Sequence, residues 1–489
     1  MHHIHTNQDQ FLSKEPLAKR KELGQYFTGS KIANLMAKLA TLKIPSREIS
    51  ILDAGAGAGI LGISTAYQAA QLGHTKIQLI CYELDVAVLP LLEQHLQEAK
   101  EDLHKKEISF HYEIRSLNFI LNPPEEYFDL CCINPPYFKY SSKNSPYAQS
   151  TKDLFKGDPN IYALFVARAL DRLKAEGELI FITPRSFTNG LYFKNFRKYL
   201  IKNSSIEFIH IFKSRKEAFK DTDVLQENVI FKLKKNKKQK DIQISSSYGI
   251  EDLHLSEINQ YASNIIIDNQ SSESFIRIPE TKSDADILQL VEQWRSSFEE
   301  LGYFISTGPV VEYRAGSLVE PNSEADSIPL INAHNINELE VKWTGDHPKD
   351  RRFNLIDSFS KWVVENSCYV VMRRISSKDE KRRISAAVYL PTTNAQKFVA
   401  FENHINFIGN KNRKLSKEEA YGLCLTLRSK IFDIYFRSVS GNTQVNATEI
   451  KTLKLPSLSL INHIGTQWLN NNINENQIDE LLENCHNYD

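Results

Sequence analysis

The chain holds 489 residues, 41% of them hydrophobic, with 60 Lys+Arg against 60 Asp+Glu. That length fits about two to four domains with ample core, and the balanced charge excludes a molecule-wide positive field, so any polyanion site must come from a local arrangement. The six cysteines lack CxxC or other metal spacing, and no apolar run approaches about 18 residues, which excludes a disulfide scaffold, a cysteine-held metal and a membrane span and predicts a cytoplasmic protein.

Residues 1–22 are polar and read as a flexible start, His2, His3 and His5 included. Residues 23–30 then lead into a helix over 31–40 with Ile32, Leu35, Met36 and Leu39 on one face. Thr28 or Ser30 caps it. The plain reading is a capped helix; the functional one is a clamp, because free N–H groups at a helix start favour a carboxylate.

Residues 49–59 read as a strand running into a glycine-rich turn at Gly55, Gly57 and Gly59, with a helix over 60–72 behind it. Glycine lets backbone approach a ligand closely, although such turns are common. A second strand over 77–85 ends in Glu83, placed to accept ribose hydroxyls. The spacing is GxGxG rather than GxGxxG, and Asp53 at the turn repels phosphate and tolerates a cation. S-adenosylmethionine fits: it has a ribose and a sulfonium and lacks phosphate.

A helix over 86–101 and a third strand over 108–120 lead to a fourth over 127–133, which ends in Asn134-Pro135-Pro136-Tyr137. Two prolines forbid a regular continuation, so these residues form a stiff turn at the edge where open α/β sheets bind ligands. The Asn134 oxygen and the Pro135 carbonyl are acceptors suited to an NH2 group, and Tyr137 offers a flat face to a planar ring. Alone, the tetrapeptide is more often an ordinary loop; its place after a strand and downstream of the glycine-rich turn changes that weighting.

Residues 138–160 read as a mobile polar loop, 161–174 as a helix, 177–184 as a fifth strand, 193–201 as a helix, and 206–212 with 228–233 as a closing strand pair. The lysine run over 232–241 reads as solvated, and 241–285 as a linker. Beyond it lie Arg373, Arg374, Lys381, Arg382 and Arg383, then Asn442, Gln444 and Asn446. These read equally as a salted hairpin turn and as phosphate clamping with base readout.

The order of clamp, glycine-rich turn, Asn-Pro-Pro-Tyr and long C-terminal part resembles the gamma-type N6-adenine DNA methyltransferases of restriction–modification systems, with a TaqI-like catalytic lobe. The stretches 373–383 with Ala386-Ala387, Glu402-Asn403-His404-Ile405-Asn406 and 441–448 are similar to the PstI/BsuBI-type group. The resemblance spans most of residues 20–235 through separate motifs. It implies an α/β, Rossmann-like class I methyltransferase domain over 23–240 with a mostly parallel seven-stranded sheet, and a mixed α+β target-recognition domain over 286–489. It also implies S-adenosyl-L-methionine as cofactor, S-adenosyl-L-homocysteine as product, no metal, double-stranded DNA as partner, a six-base palindrome such as CTGCAG, and a cognate restriction endonuclease encoded separately that forms no stable complex.

Carried over by motif, Thr28 caps the methionine carboxylate of the cofactor, with Gly29 where many relatives have proline. Asp53, Gly55 and Gly57 match the cofactor loop and Glu83 the ribose ligand. Asn118 stands where the family usually has Asp on the cofactor's adenine amino group, and its amide oxygen can still accept; Phe119 flanks that adenine. Asn134, Pro135, Pro136 and Tyr137 match the catalytic motif. Tyr137 and Phe219 would stack on the extruded base, with Phe187 the other candidate for the second face. Two rival readings remain: amino-methylation of RNA or of protein glutamine, and a DNA-binding specificity protein with an inactive methyltransferase lobe.

Overall fold

The computed structural model describes residues 28–138, 145–157, 160–214, 227–269, 272–320, 327–355, 361–376, 380–391, 396–440 and 444–488. The chain divides into two compact units, Met1–Glu280 and Thr281–Asp489.

In the first unit, β1 (Glu48–Ala54), β2 (Lys76–Tyr82), β3 (Ser109–Arg115), β4 (Phe128–Ile133), β5 (Leu173–Pro184), β6 (Ser204–Phe212), β7 (Asn228–Lys235), β8 (Ile242–Ser247) and β9 (Ile258–Tyr261) form one sheet. Its order is β3-β2-β1-β4-β5-β7-β6-β8-β9. Strands β3 to β5 along that order run parallel, β7 runs against both neighbours, β8 pairs parallel with β6, and β9 returns antiparallel. The inner strands are near-continuous apolar runs, as burial on both faces requires. Helices α1 (Ser30–Lys38), α2 (Ile60–Gln71), α3 (Leu89–Lys105), α4 (Ile161–Asp171) and α5 (Lys194–Asn203) cover it. Ile32, Ala33 and Met36 of α1 join Ile182 of β5 and Ile230 of β7 in one buried cluster on one face.

Three expectations change. The sheet has nine strands among the described residues, where seven were expected. The stretch 241–285 holds β8 and β9, and within it Arg277 and Asp268 pair at 3.3 Å, both nearly fully buried, so the first unit runs on to Glu280 rather than ending in a linker. The lysine run is not all solvated either. Lys232 is buried, 3.0 Å from Glu178 Oε1 and 2.6 Å from Thr41 Oγ1, while the Thr41 amide donates to Glu178 Oε2 at 2.9 Å. The strand carries Lys232 into the sheet before β7 ends, and a buried charge is held only when paired. Within 138–160, residues Pro146–Ser150 form a short helix, and buried Arg168 donates to Ser150 O at its end and pairs with Asp153 beyond it at 3.1 Å.

The second unit is α+β. Strands Tyr303–Thr307, Ile405–Asn410, Tyr369–Arg373 and Ala386–Tyr389 make one sheet in that order. A second sheet runs Val319–Glu320, Arg351–Asn354, Ser327–Ile331, Phe398–Phe401, Val363–Glu365. Tyr369, Tyr389 and Phe407 of the first of these sheets and Phe401 of the second pack in one buried cluster, Tyr369 edge-on to Phe401 with centroids 5.6 Å apart. Helices Lys417–Arg428 and Leu458–Leu469 cross at Gly422 and Gly465.

Candidate active site

The glycine-rich turn hangs from the end of β2, because the Gly55 and Ala56 amides donate to Tyr82 O at 2.9 and 2.8 Å. Gly55 and Gly57 sit at φ +104° and +52°, conformations that favour glycine. Glu83 closes the turn: Oε2 accepts from the Gly57 amide at 2.8 Å and Oε1 from the Asp85 amide at 2.7 Å. Burial raises its carboxyl above the usual range. Asp53 is 1% exposed and its Oδ2 accepts from the Gly62 amide at 2.9 Å, inside the first turns of α2. Burial pushes it up to about 7. Asp53 therefore braces the turn against the helix rather than facing outward. The carboxyl group at the mouth of the turn is that of Glu83, which suits a phosphate-free nucleoside better than a phosphate.

Asn118 differs from expectation. Its Oδ1 already accepts from the Ile120 and Leu121 amides at 3.1 and 3.2 Å, and its Nδ2 donates to the Tyr147 hydroxyl at 3.2 Å. An Asn at a turn competes for nearby backbone donors in this way, so the oxygen assigned to a ligand amino group is committed to the turn. Phe119 is buried between Tyr82 and Phe165, with centroids at 5.3 and 5.5 Å.

Strand β4 lies between β1 and β5, where the strand order reverses, so Asn134 to Tyr137 leave the sheet at its topological switch point. Pro135 is buried, while Asn134, Pro136 and Tyr137 are half-buried. Asn134 Nδ2 donates to Thr28 Oγ1 at 3.0 Å, which joins the residue before α1 to the end of β4. The Tyr137 hydroxyl lies 2.7 Å from Asn134 Oδ1 and 3.0 Å from Ile182 O of β5. Its ring meets Tyr162 edge-on at 6.1 Å. Thr28 thus contacts the Asn134–Tyr137 motif directly, a contact that no local pattern signals. Phe187 is fully buried among Phe181, Phe196 and Phe231, so it belongs to the core and not to a base-contacting face. Phe219 and Asn442 lie outside the described residues.

In the second unit the arginine cluster separates. Arg383 is 1% exposed, lies over the Phe436 ring and donates to Ser376 Oγ at 3.3 Å. Arg382 pairs with Glu475 at 3.0 Å, and Arg373 donates to Ala333 O at 3.1 Å. Arg383 is held inside the fold, contrary to the DNA-binding role expected of it, while Arg373 and Arg382, expected to bind DNA likewise, are half-buried with part of their donors engaged within the unit. Lys381 and Gln444 are exposed, Arg374 is half-buried, and an antiparallel bridge from Ile375 to Gln444 places Gln444 beside Arg374. Asn446 donates to Glu449 Oε1 at 3.1 Å at the start of a short helix. Among the described residues His334, His347 and Asp350 come within metal-ligand spacing. Their polar atoms are engaged already: His334 Nε2 lies 2.7 Å from Asp350, Asn335 Nδ2 donates to the same oxygen at 3.0 Å, and the Lys349 amide donates to His347 Nδ1 at 3.1 Å.

Residues 58–219 match the model of the Eco57I restriction-modification methylase family. The chain is 35% identical over 488 residues to the Type II methyltransferase M.BsuBI of Bacillus subtilis, covering 96% of each chain. The chain belongs to the Type II methyltransferases. It is also 32% identical to M.PstI of Providencia stuartii, over 95% of this chain and 92% of that one. Among solved structures, the Type IIL restriction-modification enzyme MmeI in complex with DNA aligns with a TM-score of 0.59 at 13% identity, over 99% of this chain and 78% of that one. That likeness concerns the fold. The first unit of this Type II methyltransferase is built on the single nine-stranded sheet, with β8 and β9 at its far edge. No helix among its described residues is long and apolar enough to cross a membrane.

Proposed function

We propose that this Type II methyltransferase methylates N6 of an adenine flipped out of double-stranded DNA, within a restriction–modification system whose endonuclease is a separate chain. The observation that carries the reading is Asn134 at the carboxyl edge of β4, its amide fixed between Thr28 and Tyr137, beside the Asp53–Glu83 turn. Gly55, Gly57, Glu83, Phe119 and Thr28 would hold S-adenosylmethionine, which when bound supplies an electrophilic methyl group. The Glu83 carboxyl group at the turn fits a cofactor without phosphate.

The chain's own residues then act on the base. A stacked adenine cannot present N6 in line, so it is extruded at a cost of about a few kcal/mol. Tyr137 contributes roughly 1–3 kcal/mol by stacking on one ring face. Asn134 Oδ1 and the Pro135 carbonyl accept the two N6 hydrogens and draw the conjugated nitrogen toward tetrahedral geometry, so that its lone pair becomes available. Positioning and water exclusion, rather than a strong base, do most of this. Among the described residues of the expected set, exposed Lys381 and Gln444, with half-buried Arg374 beside them, would contact DNA from the second unit.

Single-molecule sequencing of plasmid DNA from cells expressing the wild type and Asn134→Ala tests the reading. N6-methyladenine in one sequence context, absent in the variant, supports it. A soluble wild type that leaves no modified adenine rejects it and turns attention to RNA or protein glutamine.

A further inference from the structure

The corner of the sheet beside Tyr137 holds an unusual concentration of buried polar atoms without partners. Asn228 is 1% exposed and Asn189 fully buried, and neither amide oxygen nor amide nitrogen of either residue has a hydrogen bond. The hydroxyls of Thr183 and Thr188 nearby are unsatisfied too. Folded proteins pair nearly all such groups, and an orphan buried amide works against stability. An unpartnered amide at a sheet edge that binds ligands is placed for a ligand to complete it, and only one of these side chains is on the right face.

The strand register says which of these faces the catalytic motif. Asn228 lies directly across from Pro184, and Ile230 across from Ile182, in the β5–β7 pair. Side chains two residues apart on a strand share a face. Ile182 and Ile230 belong to the buried cluster that includes α1, so Asn228 lies on the α1 face. Thr28 precedes α1 and accepts from Asn134, and the Tyr137 hydroxyl rests on Ile182 O. Asn228 is therefore on the same face and at the same edge as the motif, about 7 Å along its strand from the partner of Ile182.

We propose that Asn228 is a specificity-determining residue that reads a ring nitrogen of the flipped adenine. This rests on the adenine-methylation reading. With the N6 hydrogens taken by Asn134 and Pro135, the base still presents N1 and N7 as acceptors. The Asn228 amide nitrogen is a desolvated donor waiting for such an acceptor. Thymine and cytosine place different groups at those positions, so the contact also selects against them.

The test uses duplexes carrying the methylated context identified by sequencing, with adenine, 1-deazaadenine or 7-deazaadenine at the target position. Wild type, Asn228→Leu and Asn228→Ser are compared for kcat/KM, for cofactor Kd and for thermal unfolding. Wild type should lose about ten- to a hundredfold in kcat/KM on one of the two deaza bases, the value of one buried hydrogen bond to a base. Asn228→Leu should lose a similar factor on adenine, show no further loss on that same deaza base, keep its cofactor Kd, and unfold at a temperature no lower than wild type. Asn228→Ser, which keeps a small polar group, covers the case in which leucine does not fit. Equal loss on adenine and both deaza bases, or wild-type kinetics in both variants, overturns the role of Asn228. Absence of any wild-type adenine methylation instead overturns the reading on which it rests.

Discussion

Gly422 and Gly465 bring two helices of the second unit into backbone contact. A methyl group built on Gly422 would overlap the Ile461 carbonyl, and one on Gly465 the Glu418 carbonyl. Both obstacles are backbone, so neither can turn aside. Gly422→Ala should destabilise the second unit by about 1–3 kcal/mol, the usual range for overpacking. Denaturant unfolding followed by circular dichroism measures it. Unchanged stability would mean that the helices separate easily.

Arg383 and Lys381 lie two positions apart and should behave oppositely. Arg383→Met removes a buried guanidinium with its hydrogen bonds and should destabilise the fold by roughly 1–3 kcal/mol. Lys381→Ala, at an exposed site, should leave stability within about 0.5 kcal/mol while weakening DNA binding and lowering the salt slope by about one unit. Thermal unfolding and salt-titrated DNA binding separate the two.

Thr28→Val keeps the shape of the side chain and removes the acceptor for Asn134 Nδ2. If positioning of that amide matters, kcat on DNA should fall about tenfold, the scale of one hydrogen bond, and Thr28→Ser should recover most of it. A loss confined to cofactor Kd would mean that Thr28 serves the cofactor alone. Steady-state kinetics alongside calorimetric cofactor binding gives the answer.

Asp53 makes stability depend on pH. Its folded pKa is raised from 3.8 to about 7 by burial, so the folded state binds a proton more tightly than the unfolded chain does. The contribution is fully present below the unfolded value and is lost as pH rises through about 7. Over that window the wild type should lose up to about 4 kcal/mol from this group. Asp53→Asn, which can still accept from the Gly62 amide, should flatten the decline. Unfolding free energies measured from pH 4 to 8 for both proteins would show it; parallel curves reject the assignment.

What the sequence revealed was what adjacent residues encode. The Gly55–Gly59 turn, Glu83 at a strand end and Asn134–Tyr137 after an apolar run are each local, and the structure places them at one sheet edge because parallel strands share a direction. What it concealed depends on partners far along the chain. Arg383 looks like a surface cation until Ser376 and Phe436 fold around it. Lys232 hides in a lysine run although Glu178 takes it into the interior. The run also disguised β8, whose polar flank suggested a linker. Asn118 was assigned to a ligand by position, while its own turn claims the oxygen.

The Tyr137 hydroxyl has one hydrogen and, among the described residues, lies within reach of both Asn134 Oδ1 and Ile182 O. Either acceptor alone satisfies it. When the hydroxyl donates to Ile182 O, Tyr137 stays tied to β5 while Asn134 Oδ1 can take up another donor. A side chain with such a spare tether can change its partner at little energetic penalty, so the aromatic face and the amide beside it are free to be set independently.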